Sequence, residues 1–342
     1  MTDEQMGPRD PLVRPGGEGL VRRLPVLGVD VDFEVDDDAL LQVVDAWFGA
    51  WASLPEGPGL RQGRAVRVGV HRHDDHPGDQ GRPEVRYRMP DPDTLLLGTP
   101  GSVGMADRRR ATATVYATDS LLAEADHFGY GVLSAVTLFL VTAVDRFPVH
   151  AAALRGPSGA GVLLHGPSGS GKSTLCAVAA RRGLRVVAED VVYVQLDPEL
   201  RVWGLPGPIH VPPDSLRFLP GTTPAGRRIR AGGREKMVLH PPASDPVPPT
   251  LAQPPAVCLV ERSPGPAVLE AVAPGVVLQA IGEPREPGFD LSAGRMGPVA
   301  AALVAGGAWR LRTGSDPHAA VDLLEELLTG ATSATASRRS RR

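Results

Sequence analysis

Gly166, Pro167, Ser168, Gly169, Ser170, Gly171, Lys172 and Ser173 follow the pattern G-x-x-x-x-G-K-[ST] without a break. That octapeptide suits a polyphosphate. Glycines let backbone N–H groups converge on the ligand, the helix that follows presents its positive end, the lysine ammonium reaches the β- and γ-phosphates, and the serine hydroxyl ligates Mg²⁺. ATP and Mg²⁺ are the expected ligands, and the expected nucleotide-binding stretch runs on through Thr174. Two acids, Glu189 and Asp190, stand 17 and 18 residues beyond Lys172, where the run RVVA ends. In an α/β sheet that end faces the phosphates, so one acid can hold the metal while the other takes the proton of an attacking hydroxyl. The other reading of the pair is a capping or loop role.

All but two of the 36 cationic residues are arginine, the exceptions being Lys172 and Lys236. Positions that keep a compact ammonium in such a chain are candidates for a site that requires one. Lys236 and Arg234 lie in a glycine-containing loop with Arg227, Arg228 and Arg230, and either can neutralise charge on a transferred phosphoryl group. The alternative is a solvated basic loop.

Several classes are excluded. A net charge of -3 gives no global basic field, so no nucleic-acid partner is expected. Neither an LSGGQ-like signature nor an N-K-x-D motif occurs, which removes transporter-type ATPases and GTPases. Phe128 to Val144 is uncharged but glycine-interrupted and short for a span, so a buried helix is expected and no membrane partner. The start lacks a signal-peptide core, and Cys176 and Cys258 cannot form a disulfide framework; both point to the cytoplasm.

The elements that position these residues follow from periodicity and turn signals. GVLLH is a strand before the glycine loop, Thr174 to Arg182 a helix after it, and Arg185 to Ala188 and Val191 to Leu196 are strands around the acids. Upstream, Phe147 to Leu154 reads as one strand joined to GVLLH by the turn RGPSGA. Further strands are AVCLVER, VLEAV and WRLR, with helices over GPVAAALVAG and DPHAAVDLLEELL. In the N-terminal half, residues 1–25 read as a tail, and Asp36, Asp37 and Asp38 open a helix. Ala65 to Thr118 reads as an antiparallel β-rich module, and Thr118 to Val144 as a helix broken at Gly129 and Gly131. His71, His73, Asp74, Asp75 and His76 read as a polar loop before a metal site. The expected organisation is an α+β module over 26–120, an ATP-binding domain over 121–330 and a basic tail over 331–342.

The segments FPVHAAAL, GVLLHGPSGSGKSTL and GLRVVAEDVVYV together resemble the catalytic domain of HPr kinase/phosphorylase and related serine kinases, over about Val149 to Leu196. The resemblance implies a PEP-carboxykinase-like P-loop fold, α/β with a mixed sheet, and transfer of the γ-phosphoryl group of ATP to a seryl hydroxyl of a protein or peptide. It also implies a homo-oligomer. His150 corresponds to the family's upstream histidine, which would share a hydrogen bond with the acidic pair and tune the base. Glu189 and Asp190 correspond to that pair, with Glu where the well-known enzymes carry Asp; the resemblance makes Asp190 the expected base, with Glu189 holding Mg²⁺ or His150. Residues 1–120 do not resemble those enzymes, and WGLPGPIHVPPDSLRF lacks the glycine-rich second signature; both argue against HPr as the acceptor and against phosphorylase activity. Another protein, a ribosomally made peptide or a small hydroxyl compound fits better, and a nucleotide sensor without transfer is the alternative class.

Overall fold

The structure is a computed structural model that describes residues 19–55, 62–74, 83–229, 235–241, 250–282 and 294–330. Its contacts fall into two units that meet in sequence at Val144 and Asp145. Among the described residues, no helix is long and apolar enough to cross a membrane.

The first unit is built on β1 (Leu20–Val26), β2 (Val29–Val35), β3 (Gln62–His73), β4 (Arg86–Asp91), β5 (Thr94–Gly98), β6 (Val103–Asp107) and β7 (Thr112–Thr118). They form one sheet in the order β1-β2-β3-β7-β6-β5-β4. Alternation sets its buried face: Val29, Val31, Phe33 and Val35 are buried while the acids between them are less so. Helix α1 (Asp38–Phe48) starts where Asp37 accepts a 2.9 Å bond from the Leu40 amide, and it carries the chain from β2 to β3. That crossover lets β2 and β3 run parallel, as β3 and β7 also do, so the sheet is mixed where an antiparallel module was expected. Leu20–Val26 is likewise a strand paired along its length with β2, not part of a tail.

Beyond β7 come α2 (Asp119–Ala123), α3 (Ala125–Phe128), a π-helical turn over Gly129–Leu133 and α4 (Ser134–Val141). Gly129 does not break the helix. A Cβ there would lie 1.8 Å from the Trp47 indole nitrogen, so glycine is required by close packing. Phe128, Val132, Val136 and Leu140 are buried, and α4 packs on β3, β6 and β7. This stretch therefore belongs with the first unit, and the observed division falls at 144, later than the expected 120.

In the second unit, β8 (Phe147–Val149) and β9 (Ala151–Arg155) replace the single strand expected over 147–154, because the chain changes sheet at His150. After β10 (Gly161–His165) come α5 (Lys172–Arg181), β11 (Arg185–Ala188), β12 (Val192–Gln195), β13 (Arg201–Gly204) and β14 (Ile209–Val211). The hairpin β15 (Gly226–Ile229) and β16 (Glu235–Leu239), then β17 (Thr250–Leu251), β18 (Ala256–Glu261) and β19 (Val268–Ala271), lead to α6 (Pro274–Gly282), α7 (Met296–Val304), β20 (Ala308–Arg312) and α8 (Pro317–Leu328). Helix α6 has no counterpart in the sequence reading.

The central sheet has the order β11-β9-β10-β18-β20-β19 and is covered on both faces. Successive residues divide between two cores: Ala152, Leu154, Val162 and Leu164 pack toward α5 and α8, while Ala151, Ala153 and Leu163 pack toward β12, α6 and α7. Each buried Leu or Val contributes about 1.5–3 kcal/mol, so this sandwich is where the unit's stability is concentrated. Strands β9 and β10 are antiparallel, β9 and β11 are antiparallel, and β10, β18 and β20 are parallel. Hence β10, β11, β18 and β20 all end at one edge of the sheet. The remaining strands form two antiparallel sheets, β17-β13-β12-β8 and β14-β16-β15.

Candidate functional site

The glycine loop leaves β10 at that edge and enters α5 at Lys172. Gly169 and Gly171 have φ of 86° and 105°, left-handed values that side chains resist. At Gly166 a Cβ would lie 2.6 Å from the Val260 carbonyl, so the loop folds flush against β18. The Lys172 side chain is buried, and its ammonium donates to the carbonyls of Gly166 (2.6 Å) and Pro167 (3.2 Å). Ser170 Oγ is buried and has no hydrogen-bond partner among the described residues. A buried hydroxyl without a partner is costly, and an anionic oxygen in the loop would satisfy it.

Glu189 and Asp190 follow β11 and so reach the same edge. Their roles separate in the geometry. Ser173 Oγ donates to Glu189 Oε1 at 2.7 Å, and Glu189 Oε2 lies 3.0 Å from His210 Nδ1, with both of those side chains about nine-tenths buried. Lys236 Nζ donates to the His210 carbonyl at 3.3 Å, which ties the second lysine to the chain Ser173, Glu189, His210. Asp190 is more open, and its Oδ1 lies 3.6 Å from His150 Nδ1, an ion-pair distance longer than a direct hydrogen bond. The histidine expected to share a bond with the acidic pair thus faces Asp190, while Glu189 is engaged by Ser173 and His210.

His150 occupies the gap between β8 and β9, and Glu189 and Asp190 occupy the gap between β11 and β12, so both strand pairs change sheet at the same level. The His165 ring braces this seam, with Nδ1 3.0 Å from the His150 carbonyl and Nε2 3.1 Å from the Ala280 carbonyl of α6. On another side of α5, Thr174 Oγ1 and Ser215 Oγ are hydrogen-bonded at 2.8 Å and buried. There a cavity of about 470 Å³ is bounded by Thr174, by Arg217 and Phe218 of the 3₁₀ turn after β14, and by Arg262 and Ser315 after β18 and β20.

Of the residues singled out in the sequence, the structure brings Gly166 to Thr174, Glu189, Asp190, His150 and Lys236 to one neighbourhood; Arg234 lies outside the described residues. His210, Ser215 and His165 were missed. The first had a faint signal as a polar residue in the apolar run PIHV, about twenty residues beyond the acids. Elsewhere, His71 Nδ1 pairs with Asp36 at 2.9 Å, while Asp75 and His76 lie outside the described residues. Cys176 and Cys258 are fully buried in one core, and burial pushes both thiols well above their ordinary range.

Ser173 and Glu189 offer the oxygen donors a hard cation takes, and Asp190 stands beside them. Among the described residues no group of three or more His, Cys, Asp or Glu gathers as a protein-only metal site would need. The set fits Mg²⁺, which keeps water and phosphate oxygens in its shell and takes few protein ligands. No protein-family model matches the sequence, and no curated protein matches it.

Proposed function

We propose that the second unit is a Mg²⁺- and ATP-dependent kinase of the HPr kinase-related type, with a PEP-carboxykinase-like P-loop fold, acting on a seryl hydroxyl of a protein or peptide. The observation that carries this reading is the Ser173–Glu189 hydrogen bond beside a partly exposed Asp190. Because Ser173 donates its proton to Glu189, its oxygen lone pairs are left for a cation. Mg²⁺ bound there would neutralise charge on the β- and γ-phosphate oxygens.

The protein groups then divide the work. The backbone amides from Gly166 to Thr174 and the start of α5 hold the phosphates, and Lys172 supplies a positive charge within reach of them once its ammonium turns from the Gly166 and Pro167 carbonyls. Asp190 accepts the proton of the acceptor hydroxyl as the new O–P bond forms and the bond to the bridging oxygen of ADP breaks. His150, 3.6 Å from Asp190, stabilises its carboxylate. Lys236, whose ammonium donates to the His210 carbonyl, contributes positive charge beside Glu189.

The test is transfer of label from γ-labelled ATP to candidate serine peptides and to a lysate, by the wild-type chain and by Asp190→Asn. Transfer that disappears in the variant supports the reading. Full transfer by Asp190→Asn would remove Asp190 from the role of base. Tight ATP binding with no labelled acceptor would indicate a nucleotide sensor, and label found only in small metabolites would move the acceptor to that class.

A further inference from the structure

We propose that the β4 edge of the first unit's sheet binds an extended segment of a partner polypeptide as an added strand, one with acidic residues at every second position. The proposal stands independently of the kinase reading, because every residue it uses lies in the first unit. Exposed apolar surface is the first observation. Of the eleven large hydrophobic residues exposed among the described ones, six gather here: Tyr87 and Met89 on β4, Leu96 on β5, Val103 and Met105 on β6, and Tyr130 in the π-helical turn. The Tyr87 hydroxyl donates to the Gly131 carbonyl at 2.6 Å, which ties that turn to the strand. Apolar surface concentrated in one place marks an interaction site, whereas the same residues scattered singly would not.

The register lays out the face. Arg88, Leu96 and Met105 stand in one cross-strand row and Arg86, Gly98 and Val103 in the next, so two arginines border an apolar strip with a gap at Gly98. Tyr87 pairs with the buried Leu97 and so points to the opposite face. Strand β4 is last in the sheet order and exposed along its length, so among the described residues one side of its backbone is open to a further ladder. Pro90 has no amide to give, which confines that ladder to the residues before it. Side chains of an added strand would alternate in the same way, one set beside Arg86 and Arg88 and the other beside Tyr87.

Charge selects the occupant. At the far edge of the sheet β1 carries Arg22 and Arg23, but these are paired with Asp45 and Asp32. At β4, Arg86 lies 3.7 Å from Glu84 with both side chains more than four-fifths exposed, and Arg88 has no ion pair among the described residues. This edge therefore keeps positive charge that the other has neutralised. A second copy joined through β4 would set arginine against arginine, which is unfavourable, whereas a strand with acidic residues on that face gains from both.

The experiment titrates the full chain into fluorescein-labelled peptides and reads anisotropy. Three probes are used: a peptide alternating Glu with Val, one alternating Lys with Val, and the Glu-Val peptide with its amides N-methylated. The wild type should bind the Glu-Val peptide about tenfold or more tighter than the Lys-Val peptide, with a preference that narrows as salt is added. N-methylation should cost about tenfold or more, because it removes the donors of the ladder. The double variant Arg86→Glu with Arg88→Glu changes two exposed side chains and should reverse the preference; thermal melting checks that it folds. Equal binding of the two charged peptides, binding of neither, or an unchanged preference in the double variant would overturn the proposal. Undiminished affinity for the N-methylated peptide would remove strand addition. A wild-type dimer in sedimentation that dissociates in Val103→Glu, with no peptide bound, would give the face to a second copy and overturn the proposal as well.

Discussion

Among the described residues, the His71–Asp36 and His210–Glu189 pairs have almost the same length, yet they sit in different surroundings. In the first unit, His71 lies 2.9 Å from Asp36, whose second oxygen accepts the Arg72 amide at 2.7 Å. The neighbouring Asp37 caps α1 and pairs with Arg72, which also meets Asp119. Every partner there is a backbone or side-chain group that ties β3 to a helix start. In the second unit, His210 lies 3.0 Å from Glu189, but the surroundings include a buried Ser170 hydroxyl without a partner and a buried lysine whose ammonium rests on backbone carbonyls. A histidine–acid pair therefore carries little functional information by itself. What distinguishes the second pair is that the glycine loop beside it holds a buried serine hydroxyl with no partner among the described residues.

That contrast can be broken at either pair. The largest effect is expected for Asp190→Asn, which should lower phosphoryl transfer about 10²- to 10⁴-fold with ATP affinity nearly unchanged, measured as turnover against binding. Lys172→Ala should cost about 10²- to 10³-fold in turnover and weaken ATP binding as well. At His210 the expected loss is about tenfold for Ala, expressed mainly as a higher Mg²⁺ requirement, with partial recovery in His210→Gln, whose amide can still donate to Glu189. Unchanged Mg²⁺ dependence in both variants would reduce this pair to the status of the His71 pair.

The smallest effects belong to the first unit. Asp37→Ala should destabilise by about 1 kcal/mol through loss of the cap, seen as a lower melting temperature with ATP affinity unchanged. The hydrogen bond from Arg72 holds the Asp37 carboxyl below its ordinary range, so its contribution is complete above the unfolded value and is lost as pH falls through the depressed folded one. Melting followed from about pH 6 to about pH 3 should show that loss in the wild type and a shallower one in Asp37→Asn. Because the group is partly exposed, the difference will be small and will shrink with salt.

Much of the site is legible in the sequence because it is local. Gly166 to Ser173 needs one loop geometry, and Glu189 and Asp190 follow a short strand whose end is fixed by the sheet. His210 was hidden because its link to Glu189 runs across β14 and depends on three-dimensional packing, with no spacing to announce it. Lys236 stood out only by scarcity, and its proximity comes from the pairing of β14 with β16. In the fold, the parallel pairs of the first sheet escaped notice because short alternating runs do not encode strand direction. Leu20–Val26 was obscured by its arginines and Pro25, and α6 by the Pro274–Gly275 pair at its start.

The change of sheet at His150 and at Glu189–Asp190 has a consequence for how such a protein can diversify. The strand ladders run on either side of these positions, with Val149 paired to Val192 and Ala153 to Ala188. Alanines 151–153 are fully buried, and larger side chains there would be met by the packed core at a cost of about 1–3 kcal/mol. The seam residues lie outside both ladders, so exchanging them would leave the strand pairing intact while removing the groups that meet there. Under the proposed reading, variation that keeps the chemistry would therefore fall on the surfaces around the seam and not on these three positions.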